Sequence, residues 1–581
     1  MPPDERPDEP PDAGRLNRDR LLLRALACAL LALAVLRPPE TYAWSEGACR
    51  VLLAAAGCLA WLRADGLSLL PAWMAGLLPL ALAAVATASC RARALDEAGA
   101  ALTLILAALL GRALAPDRRA RDIVAVLLVA LGSVAALLAV LQHHVTYPEE
   151  LRGLLAASDP ASPYVLARLR AGRPSGPFTL PAALGGFFAL TLPLTLLRAR
   201  RCADPWQRAT AVAAALLQSY ALFLTRSIGG LAATSVSLVL TLPVLAPRRR
   251  GILLAAAPLA ALVIALLFLQ ARRDEVGAPG GDPLTLRAGN WKAATEMIRD
   301  HPLFGTGPGS FGTFYPRYLR AGMNETRYAH DSYLQVISGW GLWSIVPLMG
   351  FLIACAARIR RSWRRRDDDL PFLAAGASFL VHNLVDFTAF LPGVAIPAAM
   401  LIGLGIRSGD AAVIEDSAPA QGATHAAVRP RRGAAVVHAL PAAAVLALFL
   451  GHALLSSRAE SFLEEARSAA ADGNTQEALS LARRAALTRP DDPVPRAFIA
   501  EWVLTHGMED EALRLDGERQ AESAVLLDPE SAILHSDLSL YLRTAGSTAP
   551  AYREQFTAHM LFPLKPDYRL PETMRDAGRG P

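Results

Sequence analysis

Apolar side chains in this sequence gather into long blocks separated by short arginine-bearing segments. Blocks of about membrane length, roughly 17–25 residues, fall at about 20–36, 48–62, 67–88, 97–115, 122–141, 180–197, 207–225, 228–246, 251–269, 333–358, 370–388, 391–406 and 435–455. The pattern predicts an all-α, polytopic membrane bundle of about thirteen spans over residues 20–455. Residues 1–19 are Pro- and charge-rich and read as a disordered tail. No small-x-small site closes the first apolar block, so it reads as a span and not as a cleaved signal.

Past residue 456 the pattern changes. Apolar residues recur at helical spacing among many charges through about residue 577. TQEALSLARRAALTRPDD and QAESAVLLDPES each read as an amphipathic helix closed by proline, Pro490 and Pro529. Segments between and after them end in glycine. Such helix–turn–helix units resemble tetratricopeptide repeats, although that family's Trp, Leu, Gly and Tyr positions are mostly missing. A plain soluble helical domain is the alternative.

Arginine placement orients the spans. Arg118, Arg119 and Arg121 share one loop, and Arg198, Arg200, Arg201 and Arg208 another. Arg248–Arg250, then Arg358, Arg360, Arg361 and Arg364–Arg366, then Arg429, Arg431 and Arg432 fill three more. With thirteen spans all five loops share the side of the N-terminus, which is assigned to the cytoplasm. Two long loops, about 142–179 and 270–332, and the C-terminal domain then lie outside.

Composition sharpens this picture. Of 581 residues, 53% are hydrophobic and only 19% charged, against a usual ~25%. That excludes a disordered chain and a nucleic-acid-coating protein. The net charge of +6 belongs to the loop arginines, so no nucleic-acid partner is expected. Six cysteines are too few for a disulfide scaffold, and none has zinc spacing. Cys49 and Cys90 near neighbouring outer span ends read as a disulfide or, preferably, as two small apolar core residues.

The long outer loop holds the most unusual run, from an amphipathic helix at about 287–299 into HPLFGTGPGSF. No GK[ST] follows these glycines and no strand precedes them, so they form neither a P-loop nor a dinucleotide turn. The series Arg287, Trp291, Asp300-His301-Pro302-Leu303, Gly305-Thr306-Gly307-Pro308-Gly309-Ser310-Phe311, Tyr315, Ala329-His330-Asp331-Ser332-Tyr333-Leu334-Gln335 and Gly341 resembles the central region of the O-antigen ligase and O-antigen polymerase family. Weaker pieces follow in family order: Ser175-Gly176-Pro177-Phe178, Leu224-Thr225-Arg226-Ser227-Ile228-Gly229-Gly230, and His382-Asn383 with Asp386. The resemblance covers about residues 100–406.

The resemblance implies a membrane glycosyltransferase. It implies transfer of a glycan from an undecaprenyl-diphosphate donor to an acceptor hydroxyl at the periplasmic face of the bacterial inner membrane. Lipid A core, a growing glycan or a protein is the acceptor, for a ligase, a polymerase or a protein O-oligosaccharyltransferase respectively. A lipid diphosphate needs cations that hold several oxygens, which favours arginine. Arg287 reads as that clamp or as an interfacial cation. Arg226 stands two residues before Ile228, where the family usually has Arg, and reads as its substitute or as an interface residue. Arg317, Arg320 and Arg327 are further candidates in the loop.

His330 matches the family's His and reads as general base or positioning partner for the acceptor hydroxyl. Asp331 stands where the family usually has Asn, a carboxylate placed either to raise the His330 pKa or to repel the donor's phosphates. Gly339 replaces a common Glu. His382 and Asp386, four apart, are expected on one helix face, as a structural hydrogen bond between spans more than as a site. His143 and His144 read as interfacial, and Asp367–Asp369 as a charge-balanced loop. No metal and no cofactor are expected. Partners are the lipid-linked glycan, membrane lipids, and an acceptor or protein held by the C-terminal domain. A lipid-linked glycan transporter is the alternative of another class. It is disfavoured because no broken inverted segments appear and the polar residues cluster at the outer surface.

Overall fold

The computed structural model describes residues 12–63, 78–156, 163–246, 248, 283–406 and 432–568. The expected span at 251–269, the first half of that at 67–88, loop residues 270–282, and Arg249, Arg250, Arg429 and Arg431 lie outside the described residues. So do residues 1–11 of the expected tail and 569–577 of the C-terminal domain.

The described chain is helical. It opens with α1 (Asp12–Leu36), α2 (Ala43–Arg63), α3 (Leu78–Ala86), α4 (Arg91–Leu114) and α5 (Arg118–Leu141). A π-turn (Gln142–Thr146) leads into α6 (Tyr147–Ala156) and α7 (Pro163–Ala171). Then come α8 (Pro181–Arg201), α9 (Pro205–Thr225), α10 (Ile228–Leu245), α11 (Pro283–Asp300), α12 (Phe311–Tyr318) and α13 (Ser332–Trp340). The membrane part ends with α14 (Ile345–Arg365), α15 (Leu370–His382), α16 (Pro392–Leu404) and the 40-residue α17 (Arg432–Ala471). Five further helices follow: α18 (Thr475–Thr488), α19 (Pro493–His506), α20 (Glu511–Leu527), α21 (Ala532–Thr544) and α22 (Thr548–Leu561). Among the described residues, five helical stretches are long and apolar enough to cross a membrane by length and composition, and α15 and α16 are shorter apolar helices. The protein is thus an all-α membrane protein.

The structure departs from the sequence expectation at four places. Helix α1 begins at Asp12, so residues 12–19 are helical and not a disordered tail. Pro11 is the last proline before it, and nothing beyond breaks the helix. The loop expected at 142–179 is largely helical, because α5 continues through the π-turn, where the Tyr147 amide donates to the Gln142 carbonyl. The five-residue step accommodates Pro148, which has no amide to give. The span expected at 333–358 is broken at Gly341, whose φ of 91° suits glycine. The span expected at 370–388 is helical only to His382. Asn383 Nδ2 there donates to the Phe379 carbonyl (2.8 Å) while its Oδ1 accepts from the Ala389 amide (2.7 Å). A side chain that satisfies backbone groups in this way replaces the helix.

Ion pairs fix which ends of the helices share a face. Arg24 bonds Asp117 (2.8 Å). Arg121 and Arg358 both grip Asp369, each at 2.6 Å, and Arg201 pairs with Asp368 at 2.5 Å. Three of the five arginine loops therefore lie on one face with Arg24, midway along α1, and Asp367–Asp369 is the charge-balanced loop its composition suggested. The C-terminal domain sits at the other end of α4. Asp96 holds Arg489 (3.0 Å), Arg93 holds the buried Asp528 (2.6 Å), Arg317 pairs with Glu530, and Glu325 pairs with Lys565 (3.2 Å). The 24 residues of α4 separate the two faces. At about 1.5 Å per residue they span roughly 36 Å, enough for a hydrocarbon core of about 30 Å.

The bundle closes on small residues. Helices α4 and α16 cross so tightly that a Cβ on Gly403 would overlap the Ala108 carbonyl, and one on Gly111 would overlap the Met400 carbonyl. Close backbone approach is how helices associate in lipid, where hydrophobicity gives no preference for a neighbouring helix. Gly403→Ala is expected to lower stability by about 1–3 kcal/mol, the range for overpacking a filled core. Gly451→Ala on α17, where a Cβ meets nothing within 4 Å, is the neutral comparison. Thermal melts of both in detergent check this, and equal midpoints would contradict the crossing.

Candidate functional site

Four sequence pieces that lie far apart in the chain converge. The Ser332 amide donates to the Asn383 carbonyl (2.9 Å). Its hydroxyl donates to Asn383 Oδ1 (2.6 Å) and sits 3.1 Å from the Asp386 carbonyl. The start of α13 is thereby tied to the irregular segment after α15. His382 is buried, with Nδ1 3.1 Å from the Thr388 hydroxyl. Glycine makes room for its ring, since a Cβ on Gly186 or Gly229 would stand 3.1 or 3.3 Å from imidazole atoms. Gly229 thus lies against His382 and Val385, and Gly230 against the Gly185 backbone.

His382 and Asp386 do not share a helix face as expected, because α15 stops at His382. Asp386 instead turns to α11. Its Oδ2 lies 3.7 Å from Arg287 Nη2, and its Oδ1 accepts from the Phe387 amide (2.8 Å).

His330 stands beside this pair. Its φ of 56° is left-handed, a conformation rare outside glycine and concentrated at functional sites. The ring meets Phe387 edge-to-face at 4.8 Å, and Tyr328 stacks flat on the same phenyl at 4.3 Å. Trp291 Nε1 donates to the His330 carbonyl at 3.3 Å. Among the described residues, Nδ1 is buried without a hydrogen-bond partner. Burial holds the His330 pKa below its ordinary 6.5; Asp386 opposes that shift and Arg287 adds to it. The ring is therefore neutral at pH 7 and able to accept a proton.

The carboxylate acting on His330 is Asp386, not the expected Asp331. Asp331 caps α13, accepting from the Tyr333 and Leu334 amides at 2.9 and 3.0 Å.

The glycine turn serves as a brace. Thr306 and Gly307 amides donate to the Ser338 and Gly339 carbonyls at 2.9 and 3.1 Å. A Cβ on Gly305 would overlap the Gly339 carbonyl, so the turn and α13 meet backbone to backbone. The turn and α12 also rest on α4. The Arg93 carbonyl lies under Gly309, and its guanidinium bonds Thr313. Sequence reasoning missed Glu97 of α4. Its carboxylate accepts from Trp340 Nε1 (2.8 Å) and lies 3.8 Å from where a Gly339 Cβ would stand. An acidic residue at the mouth of an apolar block was the signal that could have found it.

The remaining arginines divide. Arg226 caps α9 in the left-handed conformation, φ 49°. Arg173, absent from the sequence candidates, donates from Nε to the carbonyl of Thr225, the preceding residue, at 3.0 Å. The π-turn places Arg173 there. The Gln142 carboxamide bonds the Ser175 and Gly176 amides at 3.1 and 2.8 Å, and His143 Nδ1 lies 2.6 Å from the Gly172 carbonyl. His144 points elsewhere, to the Tyr220 hydroxyl at 2.8 Å. Arg327 is exposed, with its guanidinium carbon 5.8 Å from the Tyr328 ring, one aromatic layer from Phe387 and His330. Arg317 turns to Glu530 and stacks over Phe314 at 4.6 Å, and Arg320 pairs with Glu296 at 2.6 Å. Cys49 and Cys90 are buried free thiols.

Residues 213–349 match the family model described as O-antigen ligase. The match contains Arg226, Arg287 and His330, and stops short of His382 and Asp386. No curated protein matches the chain.

Proposed function

We propose, from the match of residues 213–349 to the O-antigen ligase family model, that the chain transfers a glycan from a lipid-diphosphate donor to an acceptor hydroxyl at the periplasmic face of the inner membrane. The observation that carries this reading is a neutral, half-buried imidazole, His330, standing beside the ion pair of Arg287 and Asp386. The acceptor oxygen attacks the anomeric carbon of the donor sugar. The bond from that carbon to the phosphate oxygen breaks, and the lipid diphosphate leaves with the electron pair. His330 takes the hydroxyl proton or orients it. Arg287 holds the diphosphate as charge builds on the leaving oxygen. Arg226, with Arg173 beside it, and Arg327 at the edge supply further positive charge.

In this reading the face gathered by Arg121, Arg201 and Arg358 is cytoplasmic and the C-terminal domain is periplasmic. That domain, residues 456–577, works as a repeat-like platform for an acceptor or a partner protein. Its docking through Arg93, Arg317 and Glu325 to the residues that brace the site supports that role. The docking also occupies Arg317, which leaves the donor to the other arginines.

The test is turnover by the purified protein with an undecaprenyl-diphosphate oligosaccharide, with and without EDTA, read by mass spectrometry. The expected result is released undecaprenyl diphosphate and a transferred or lengthened glycan, insensitive to EDTA. The product mass separates ligase from polymerase. No turnover with lipid, glycan or protein acceptors would refute the donor class.

A further inference from the structure

A groove of about 780 Å³ runs between α2 and α17, and none of the residues described in the site above lines it. Its two ends differ in chemistry. Val51, Leu52 and Leu454 line one end and belong to the apolar blocks expected to cross the membrane. Trp44, Ser457, Arg458 and Ser461 line the other, just past the ends of those blocks. Trp44 is 49% exposed and Leu454 50%. Indole belongs at the lipid–water boundary, so the groove crosses that boundary lengthwise.

The polar end is bordered by two guanidinium groups that pair with no carboxylate among the described residues. Phe462 lines the groove and has two guanidinium groups over it, Arg458 at 5.1 Å and Arg484 of α18 at 4.2 Å. Nearby carboxylates are engaged elsewhere: Glu460 with Arg467 (3.4 Å) and Asp516 with Arg483 (2.7 Å). Among the described residues, neither Arg458 nor Arg484 has a carboxylate within ion-pair distance. Glu465 is the one acidic residue in the lining.

We infer that this groove binds a phospholipid with an anionic phosphate and a hydroxyl-bearing headgroup, such as phosphatidylglycerol. Acyl chains lie along Val51 and Leu454, the phosphate meets the arginine pair held on Phe462, and headgroup hydroxyls donate to Glu465. Charge-assisted contacts to phosphate set it apart from the zwitterionic lipids that coat any span.

The experiment uses the full chain in nanodiscs with photoactivatable phosphatidylglycerol, followed by peptide mapping. Crosslinks are expected on residues 44–52 and 454–465. Unlabelled phosphatidylglycerol should displace the probe, and phosphatidylcholine should not. The Arg458→Ala/Arg484→Ala double variant should retain on the order of tenfold less probe, with glycan transfer and thermal midpoint unchanged. Equal displacement by phosphatidylcholine overturns the inference. So does preferential displacement by undecaprenyl diphosphate, which would make the groove a donor site. Should the double variant fail to fold, the crosslink map and the competition on wild type decide alone.

Discussion

His330→Ala is expected to lose glycan transfer by about a hundredfold to ten-thousandfold, the span usually carried by a positioned acid–base group, with normal insertion and melting. The physical ground is the state in which the fold holds this imidazole. Burial keeps it neutral, and Phe387, itself stacked on Tyr328, meets its ring edge-to-face. Since its pKa lies below 6.5, lowering the pH from 7 removes the base only once that depressed value is reached. Wild-type activity should therefore be flat through neutrality, with its acid limb below the ordinary histidine range. His330→Asn is the backbone control, because asparagine tolerates the left-handed conformation at this position. It should fold like wild type and remain inactive. Wild-type rates in either variant at normal protein levels would sink the assignment.

Much of the architecture was legible because membrane helices announce themselves. Apolar blocks placed α4, α5, α8, α9 and α10 within a few residues of their observed bounds. The arginine loops anticipated which helix ends share a face, as the Arg121–Asp369–Arg358 cluster shows. Hydropathy averages over a window and therefore hid single-residue events. Gly341 splits one block, Asn383 ends another, and the π-turn carries α5 onward where a loop was expected.

The site was half legible. Motif order pointed to His330 and Arg287, but spacing could not show what surrounds them. Four-residue spacing put Asp386 with His382, yet the helix ends between them and Asp386 faces Arg287. Adjacency put Asp331 on His330, yet an N-cap spends that carboxylate on two amides. Glu97 of α4 and Arg173, in the loop after α7, are brought to Trp340 and Thr225 through tertiary packing alone, which no local pattern encodes. Arg317 looked like its neighbours until the C-terminal domain supplied Glu530.

Arg287→Ala should cost about a hundredfold to a thousandfold in rate, as expected when a donor to a developing anion is removed. It should also leave a second signature that a lost lipid contact would not. Arg287 lowers the His330 pKa and Asp386 raises it. With the guanidinium gone, the carboxylate acts alone and the imidazole holds its proton to higher pH. The acid limb of the residual activity should therefore move upward, toward neutrality. Arg287→Lys keeps the charge but not the planar fork that grips two oxygens at once. Its acid limb should stay near that of wild type while donor binding weakens. The pH profiles of wild type, Arg287→Lys and Arg287→Ala thus separate two roles: an unshifted limb in Arg287→Ala would mean that Arg287 does not act on His330 through Asp386, and an unchanged rate would remove it from the site altogether.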